Sequence, residues 1–286
     1  MAADCHIHMV LDGVWWRDAI ARHREKPDEA WIRARLSEYR EGGFTFLRDG
    51  GDAFGASALA ARLAPEYGID YRTPLFPIHR AGRYGGFIGR AFDDMASYRA
   101  LVDEVKRGGG DFIKIMISGL MDFSEYGRIT SEPLKAAEIA EMIRIAHGEG
   151  FAVMAHANGA ATVRAALDAG VDSVEHGSYM DGECLRELAV SDAVWVPTAV
   201  TIGNLLGKGR YPEDVVRRIL KMQLANVREA AALGAKLAVG SDAGAWRVFH
   251  GQGARDELVL LRGAIGPGAE DLLAAGLAEI EARFHR

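Results

Sequence analysis

Apolar positions along the chain follow two rhythms. Eight short runs, at 5–10, 44–50, 71–79, 112–119, 151–159, 172–179, 193–200 and 236–244, are almost continuous in apolar side chains. Between them lie segments such as DEAWIRARLSEYRE, DMASYRALVDEVKR, EPLKAAEIAEMIRIAHGEG and PEDVVRRILKMQLANVREAAALG, in which apolar residues return every three or four positions. That second rhythm is the period of a helix with one buried face. Strands apolar on both sides, alternating with amphipathic helices, predict a parallel sheet covered on both faces. Eight such units predict an α/β fold, a (β/α)8 TIM barrel, with residues 1–286 forming one catalytic domain.

Turn chemistry points the same way. Gly43, Gly150, Gly170 and Gly234 stand where helical patterns stop, the place of a left-handed C′ residue. TSEP before Leu134 and YPED before Val215 predict helix starts. Two longer segments, 80–94 after the third run and 120–131 after the fourth, are predicted to lie over the barrel mouth, with Arg83, Tyr84 and Tyr126 among their glycines as lid candidates.

Composition removes several classes of function. The chain carries a net charge of −6 and no block of Lys or Arg long enough to track a phosphate backbone, so no nucleic acid partner is expected. No apolar run reaches about 18 residues and no basic leader precedes an apolar segment, which predicts a cytoplasmic protein with no membrane partner. Two cysteines, Cys5 and Cys184, are too few for a disulfide framework or a cysteine-built zinc site. A small-molecule substrate is the expected partner, and self-association as a homo-oligomer is left open.

Chemistry in a barrel of this kind gathers at the C-terminal ends of the strands. There the first run supplies His6 and His8, the fourth Lys114, the fifth His156, the sixth His176 and the eighth Asp242. Ionisable groups in nearly apolar strands are costly unless paired, and a shared metal centre removes that cost. His6 and His8, two apart on one strand, face the same side and can converge on one ion. Neutral imidazoles and a carboxylate with an open position are a zinc donor set. Lys114 as an ammonium would repel the ion, but it becomes intelligible if CO2 adds to its amine to give a carbamate, one oxygen for each of two metals.

With those residues in place, the sequence resembles the two-metal branch of the amidohydrolase superfamily. DCHIHM, GFTFLRDGG, DFIKIMISG, MAHANG, AGVDSVEHGSYM, VWVPT and VGSDAG look most like its imidazolonepropionase-like group, which includes Xaa-Arg-type dipeptidases. The resemblance implies two divalent ions, zinc with manganese or cobalt as alternatives. His6, His8 and Asp242 would hold one, His156 and His176 the other, and a carboxylated Lys114 would bridge them. It implies hydrolysis of an amide bond in a small molecule (an N-acyl amino acid, dipeptide or cyclic amide) by a hydroxide shared between the metals, with Asp242 as proton shuttle. Lactone, carboxylic ester or phosphotriester hydrolysis at the same centre is the alternative, and a non-catalytic binding barrel a further one. Relatives usually add a small β-sandwich, of which this chain shows neither half, so a barrel-only domain is expected. Near Asn158 relatives often have an aromatic residue or a histidine.

Other polar residues are candidates for substrate contact. His79 at the end of the third run and Tyr126 in the second insert are placed in the catalytic set. Arg48 joins them as a partner for a substrate carboxylate, or else pairs internally with Asp49 or Asp52. His250 lies just past the eighth run, and Trp15–Trp16 past the first, facing either the pocket or another subunit.

Overall fold

All eight apolar runs become staves of one cylinder. In the computed structural model, which describes residues 2–285, the strands are β1 (Ala2–Ile7), β2 (Phe44–Asp49), β3 (Asp70–Arg72), β4 (Pro77–Arg80), β5 (Arg90–Phe92), β6 (Ile113–Met116), β7 (Val153–Ala157), β8 (Ser173–His176), β9 (Val194–Val196) and β10 (Lys236–Leu237). Met1 and Arg286, the outermost positions of the expected 1–286 domain, lie outside the described residues. The helices are α1 (Trp16–His23), α2 (Glu29–Glu41), α3 (Ala56–Leu63), α4 (Met95–Gly108), α5 (Ala136–Gly148), α6 (Ala160–Asp168), α7 (Gly182–Val190), α8 (Val200–Gly203), α9 (Glu213–Ala232), α10 (Gln252–Ile265) and α11 (Ala269–Arg283).

Strand pairing is parallel throughout, in the orders β1-β2-β3 and β10-β9-β8-β7-β6-β4-β5. The third run, expected as one strand, is two. β3 pairs with β2 and β4 with β6, and between them Pro74 offers no amide while Leu75 turns through φ 65°. β5, an addition to the expected set, pairs with the other side of β4. Closure comes from the far ends of the chain. Cys5 N–H donates to Val239 O at 2.8 Å, Asp242 N–H to His6 O at 2.7 Å and His8 N–H to Ala243 O at 2.8 Å.

The predicted stops hold: Gly43, Gly150, Gly170 and Gly234 have φ of 80°, 82°, 79° and 86°. One predicted start does not. α5 begins at Ala136 rather than near Leu134, because Leu134 N–H is drawn to Ile117 O at 2.9 Å and holds the chain extended beside β6.

Alternation stacks the barrel interior in layers. Phe46, Phe112, Met154, Val194 and Ala238 form a dry floor, sealed from below by Ile280 and Phe284 at the end of the chain. Two residues further along each strand come Arg48, Lys114, His156 and Val196, all buried. Outside the barrel, Ile113, Ile115, Val153 and Val174 pack against Val102, Ile139 and Val163 of the surrounding helices. Among the described residues no helix is long and apolar enough to cross a membrane.

Candidate metal centre

Above the floor, donor atoms of His6, His8 and Asp242 all lie within 4.8 Å of one another. Asp242 Oδ1 is 3.5 Å from His6 Nε2 and 3.4 Å from His8 Nε2. His176 adjoins them, its ring centroid 5.2 Å from that of His6 and 4.6 Å from that of His156. Glycines make the room. A Cβ at residue 50 would sit 2.4 Å from His8 Cε1, and one at residue 240 would sit 2.9 Å from His6 Cβ.

Backbone strain helps to aim two of these groups. Alternation along β8 sends Glu175 inward and would send His176 outward, yet both face the interior. The left-handed φ of 68° at His176 ends the strand and redirects the ring, and Asp242, at φ 59°, is similarly held. Such conformations cost on the order of 1–3 kcal/mol each and persist where surrounding bonds impose them. For Asp242 those bonds include its own amide to His6 O and the Asp4 carboxylate, which accepts from Ser241 N at 2.8 Å and Ser241 Oγ at 2.6 Å.

Burial holds each imidazole in its neutral form. Burial, reinforced by the charge of Lys114, pushes His8 and His156 down to about 3 and His6 well below its ordinary value; burial and then the neighbouring histidines do the same to His176. His6 Nδ1 donates to Glu175 Oε2 at 2.7 Å, leaving the Nε2 lone pair free, and that nitrogen is buried with no hydrogen-bond partner. His156 donates from Nε2 to Gly119 O at 3.1 Å, and His176 Nδ1 lies 2.7 Å from Thr198 Oγ1. Lys114 Nζ is also buried and without a hydrogen-bond partner, and burial lowers its proton affinity. Burial raises that of Asp242. Two neutral imidazoles and a carboxylate around an unpartnered nitrogen fit a catalytic divalent-metal site.

Glu175 carries more of this arrangement than its sequence position suggested. Its Oε1 accepts from Arg48 at 2.8 Å and from Ser173 Oγ at 2.6 Å. Arg48 is fully buried, and its remaining donors go to Cys5 O at 2.7 Å and Ser173 Oγ at 2.9 Å. The arginine expected to meet a substrate carboxylate, or else Asp49 or Asp52, thus lies beneath His6 with Glu175 as its partner. Asp49 instead accepts from Met9 N and Gly51 N, and Asp52 caps α3 through Ala56 N and Ser57 N.

A cavity of about 370 Å³ opens over His8, His176 and Asp242. Its walls include Trp15, Trp16, Tyr84, Phe87, Phe123 and Trp246, so both inserts and the tryptophan pair reach it. Tyr84 lies 4.8 Å, ring to ring, from His156. Asn158 lines the cavity too, pinned by Gly119 O and Ser178 N at 3.1 Å each.

Besides the buried Arg48, two further members of the expected catalytic set are not among the residues lining this cavity. His79 donates from Nδ1 to Arg80 O at 3.0 Å and packs under the 85–89 turn, which covers it from the cavity. Tyr126 is turned against Tyr179, with the Arg218 guanidinium 3.7 Å over its ring.

His250 is structural by its bonding. Tyr39 O–H donates to Nδ1 at 3.1 Å while Nε2–H donates to Leu11 O at 2.8 Å, a pattern only the neutral ring satisfies. Burial pushes its pKa from 6.5 down to about 4. The unfolded chain therefore takes up a proton near pH 6.5 that the folded ring refuses until about pH 4, so stability falls as pH drops through that window. The loss amounts to about 3 kcal/mol by pH 4. Urea unfolding at pH 7 and pH 4.5 should show a smaller loss for His250→Phe than for the parent; equal losses would refute the assignment.

Comparison with known proteins agrees with this geometry. Residues 3–267 match the amidohydrolase family. The chain belongs to that family. This amidohydrolase is 28% identical over 228 residues to a protein of uncharacterised function from Mycobacterium tuberculosis, covering 73% of this chain and 58% of the relative. It is 25% identical over 280 residues to ochratoxinase from Aspergillus niger, covering 84% of this chain and 56% of that enzyme. The chain thus spans less than three fifths of the length of these curated relatives. The barrel superposes on the A. niger ochratoxinase structure with a TM-score of 0.81 at 19% identity, over 99% of this chain and 71% of that one. A Xaa-Pro dipeptidase with methionine bound in its active site gives 0.77 at 20% identity, over 98% and 74%.

Proposed function

We propose that this amidohydrolase hydrolyses an amide bond of a small molecule, an N-acyl amino acid or dipeptide, at a centre of two divalent ions. The observation that carries the reading is the convergence of His6, His8 and Asp242 beside the buried, unpartnered amine of Lys114, under an apolar cavity. His6, His8 and Asp242 would hold one ion, His156 and His176 the other. Zinc suits these donors, with manganese or cobalt as alternatives. The lowered proton affinity of Lys114 favours the free amine that CO2 requires, and the resulting carbamate would join the two halves of the set. When bound, the ions supply the electrophile and make water nucleophilic near neutral pH. The dipeptidase, by its name, acts on molecules of this kind.

The chain's own residues do the rest. Asp242, beside the place of the attacking water, takes its proton and returns it to the leaving nitrogen, which an amine needs in order to depart. The cavity walls exclude solvent and take the apolar part of the substrate. The test is elemental analysis of protein prepared with bicarbonate, joined to a screen of N-acyl amino acids, dipeptides and lactones. Stoichiometric metal and amide turnover are expected, with Asp242→Asn lowering kcat by about 10²–10⁴-fold. Turnover confined to lactones would move the reading to ester chemistry, and absence of bound metal would end it.

A further inference from the structure

Among the lining residues of the cavity, Arg210 is the one lysine or arginine. It is exposed, on the segment between α8 and α9, whereas His8 and His176 at the other end are nearly buried. No carboxylate of the described residues pairs with it. Its guanidinium instead lies 4.6 Å over the ring of Trp246 and 5.5 Å over that of Tyr211, and Tyr211 packs 5.4 Å from Phe123 of the 120–131 insert. Stacking of this kind fixes the guanidinium plane while leaving its in-plane N–H donors free. Trp246 is itself four residues from Asp242, so the arginine is referenced to the catalytic end of the site.

Resting on the hydrolase reading, the geometry points to an anion subsite at Arg210 that selects substrates carrying a carboxylate on a bulky apolar or aromatic body. The walls offer such a body tryptophan, tyrosine and phenylalanine surfaces. The metal end would also attract a carboxylate, which would then displace the amide from its place. A second cation at the rim removes that misalignment by holding the carboxylate away and leaving the amide over Asp242. This makes Arg210 a specificity residue rather than a catalytic one.

The experiment pairs binding with turnover. N-(p-toluenesulfonyl)phenylalanine and its carboxamide, whose sulfonamide resists hydrolysis, are titrated into the metal-loaded protein by calorimetry. The parent should bind the acid about 10–100-fold more tightly than the amide, the value of a charge-assisted hydrogen bond pair. Arg210→Met should lower that ratio by about 10–100-fold, to the preference that the metal end alone gives the acid. Arg217→Met, whose arginine pairs with Glu213 on the outside of α9, should keep it. A parent that does not discriminate, or a ratio unchanged in Arg210→Met, would overturn the subsite. Hydrolysis of N-benzoylphenylalanine is measured separately. Discrimination that depends on Arg210 without turnover would remove the hydrolase reading and leave the anion subsite standing.

Discussion

Lys114→Met is expected to lose metal and gain stability. As a bridge, Lys114 would supply an oxygen to each ion, so the variant should fall from about two ions per chain to one or fewer. Turnover should drop on the order of 10³-fold, the equivalent of several kcal/mol of transition-state stabilisation. The metal-free comparison is the sharper one. Lys114 Nζ is buried and makes no hydrogen bond, so the free amine is a liability to the fold. Replacing it by a methionine of similar volume should stabilise the metal-free protein by about 1–3 kcal/mol. A lysine present for structural reasons predicts the reverse. Urea unfolding of both chelated proteins, read beside metal content, separates the two: destabilisation together with full metal occupancy would show that Lys114 is no ligand.

Glu175→Ala should be the most damaging substitution to the fold outside the hydrophobic core. It leaves the fully buried guanidinium of Arg48 without its carboxylate, a loss of about 3–5 kcal/mol when one partner of a buried pair is removed. It also frees the His6 ring, whose Nδ1 the carboxylate holds at 2.7 Å, and loss of such a support weakens metal binding by about 10–100-fold. The double variant Arg48→Met/Glu175→Leu distinguishes the two effects. Stability should largely return, because neither charge of the pair is left buried without the other, while metal affinity should stay low, because His6 is still unsupported. Recovery of both would mean that Glu175 serves the packing alone.

These two residues also mark how far the sequence could be read. The strand runs, the helices and the six ionisable residues at the strand ends were legible, because a barrel interior forces charged groups in apolar strands to converge. His6, His8 and Asp242 announce themselves by spacing and position. Glu175 obeys the same logic, a carboxylate inside an apolar strand, yet it was passed over because the neighbouring His176 accounted for the motif. Only the left-handed turn at His176 lets adjacent residues face one interior, and that turn is a property of the folded backbone. Arg48 was misplaced for a related reason: its partner is 127 residues away on another strand, and local sequence offered two nearer aspartates. His79 and Tyr126 fail differently, since the conformation of an insert decides which aromatic or imidazole ring reaches the cavity.

The way the barrel closes sets an order on its birth. β1 carries two of the donors and pairs on one side with β2, but its other edge waits for residues far along the chain: Asp4 for Ser241, 237 positions on, and Cys5 for Val239. Phe284, whose ring lies 4.4 Å from the Arg48 guanidinium, comes later still. Contacts of such long range form slowly and only after the intervening chain has been threaded around the cylinder. Until residues 239–243 have been made, one edge of β1 is therefore open, and Asp242 is not yet beside His6 and His8. The grouping of His6, His8 and Asp242 is complete only when β10 and the residues that follow it have come back to β1.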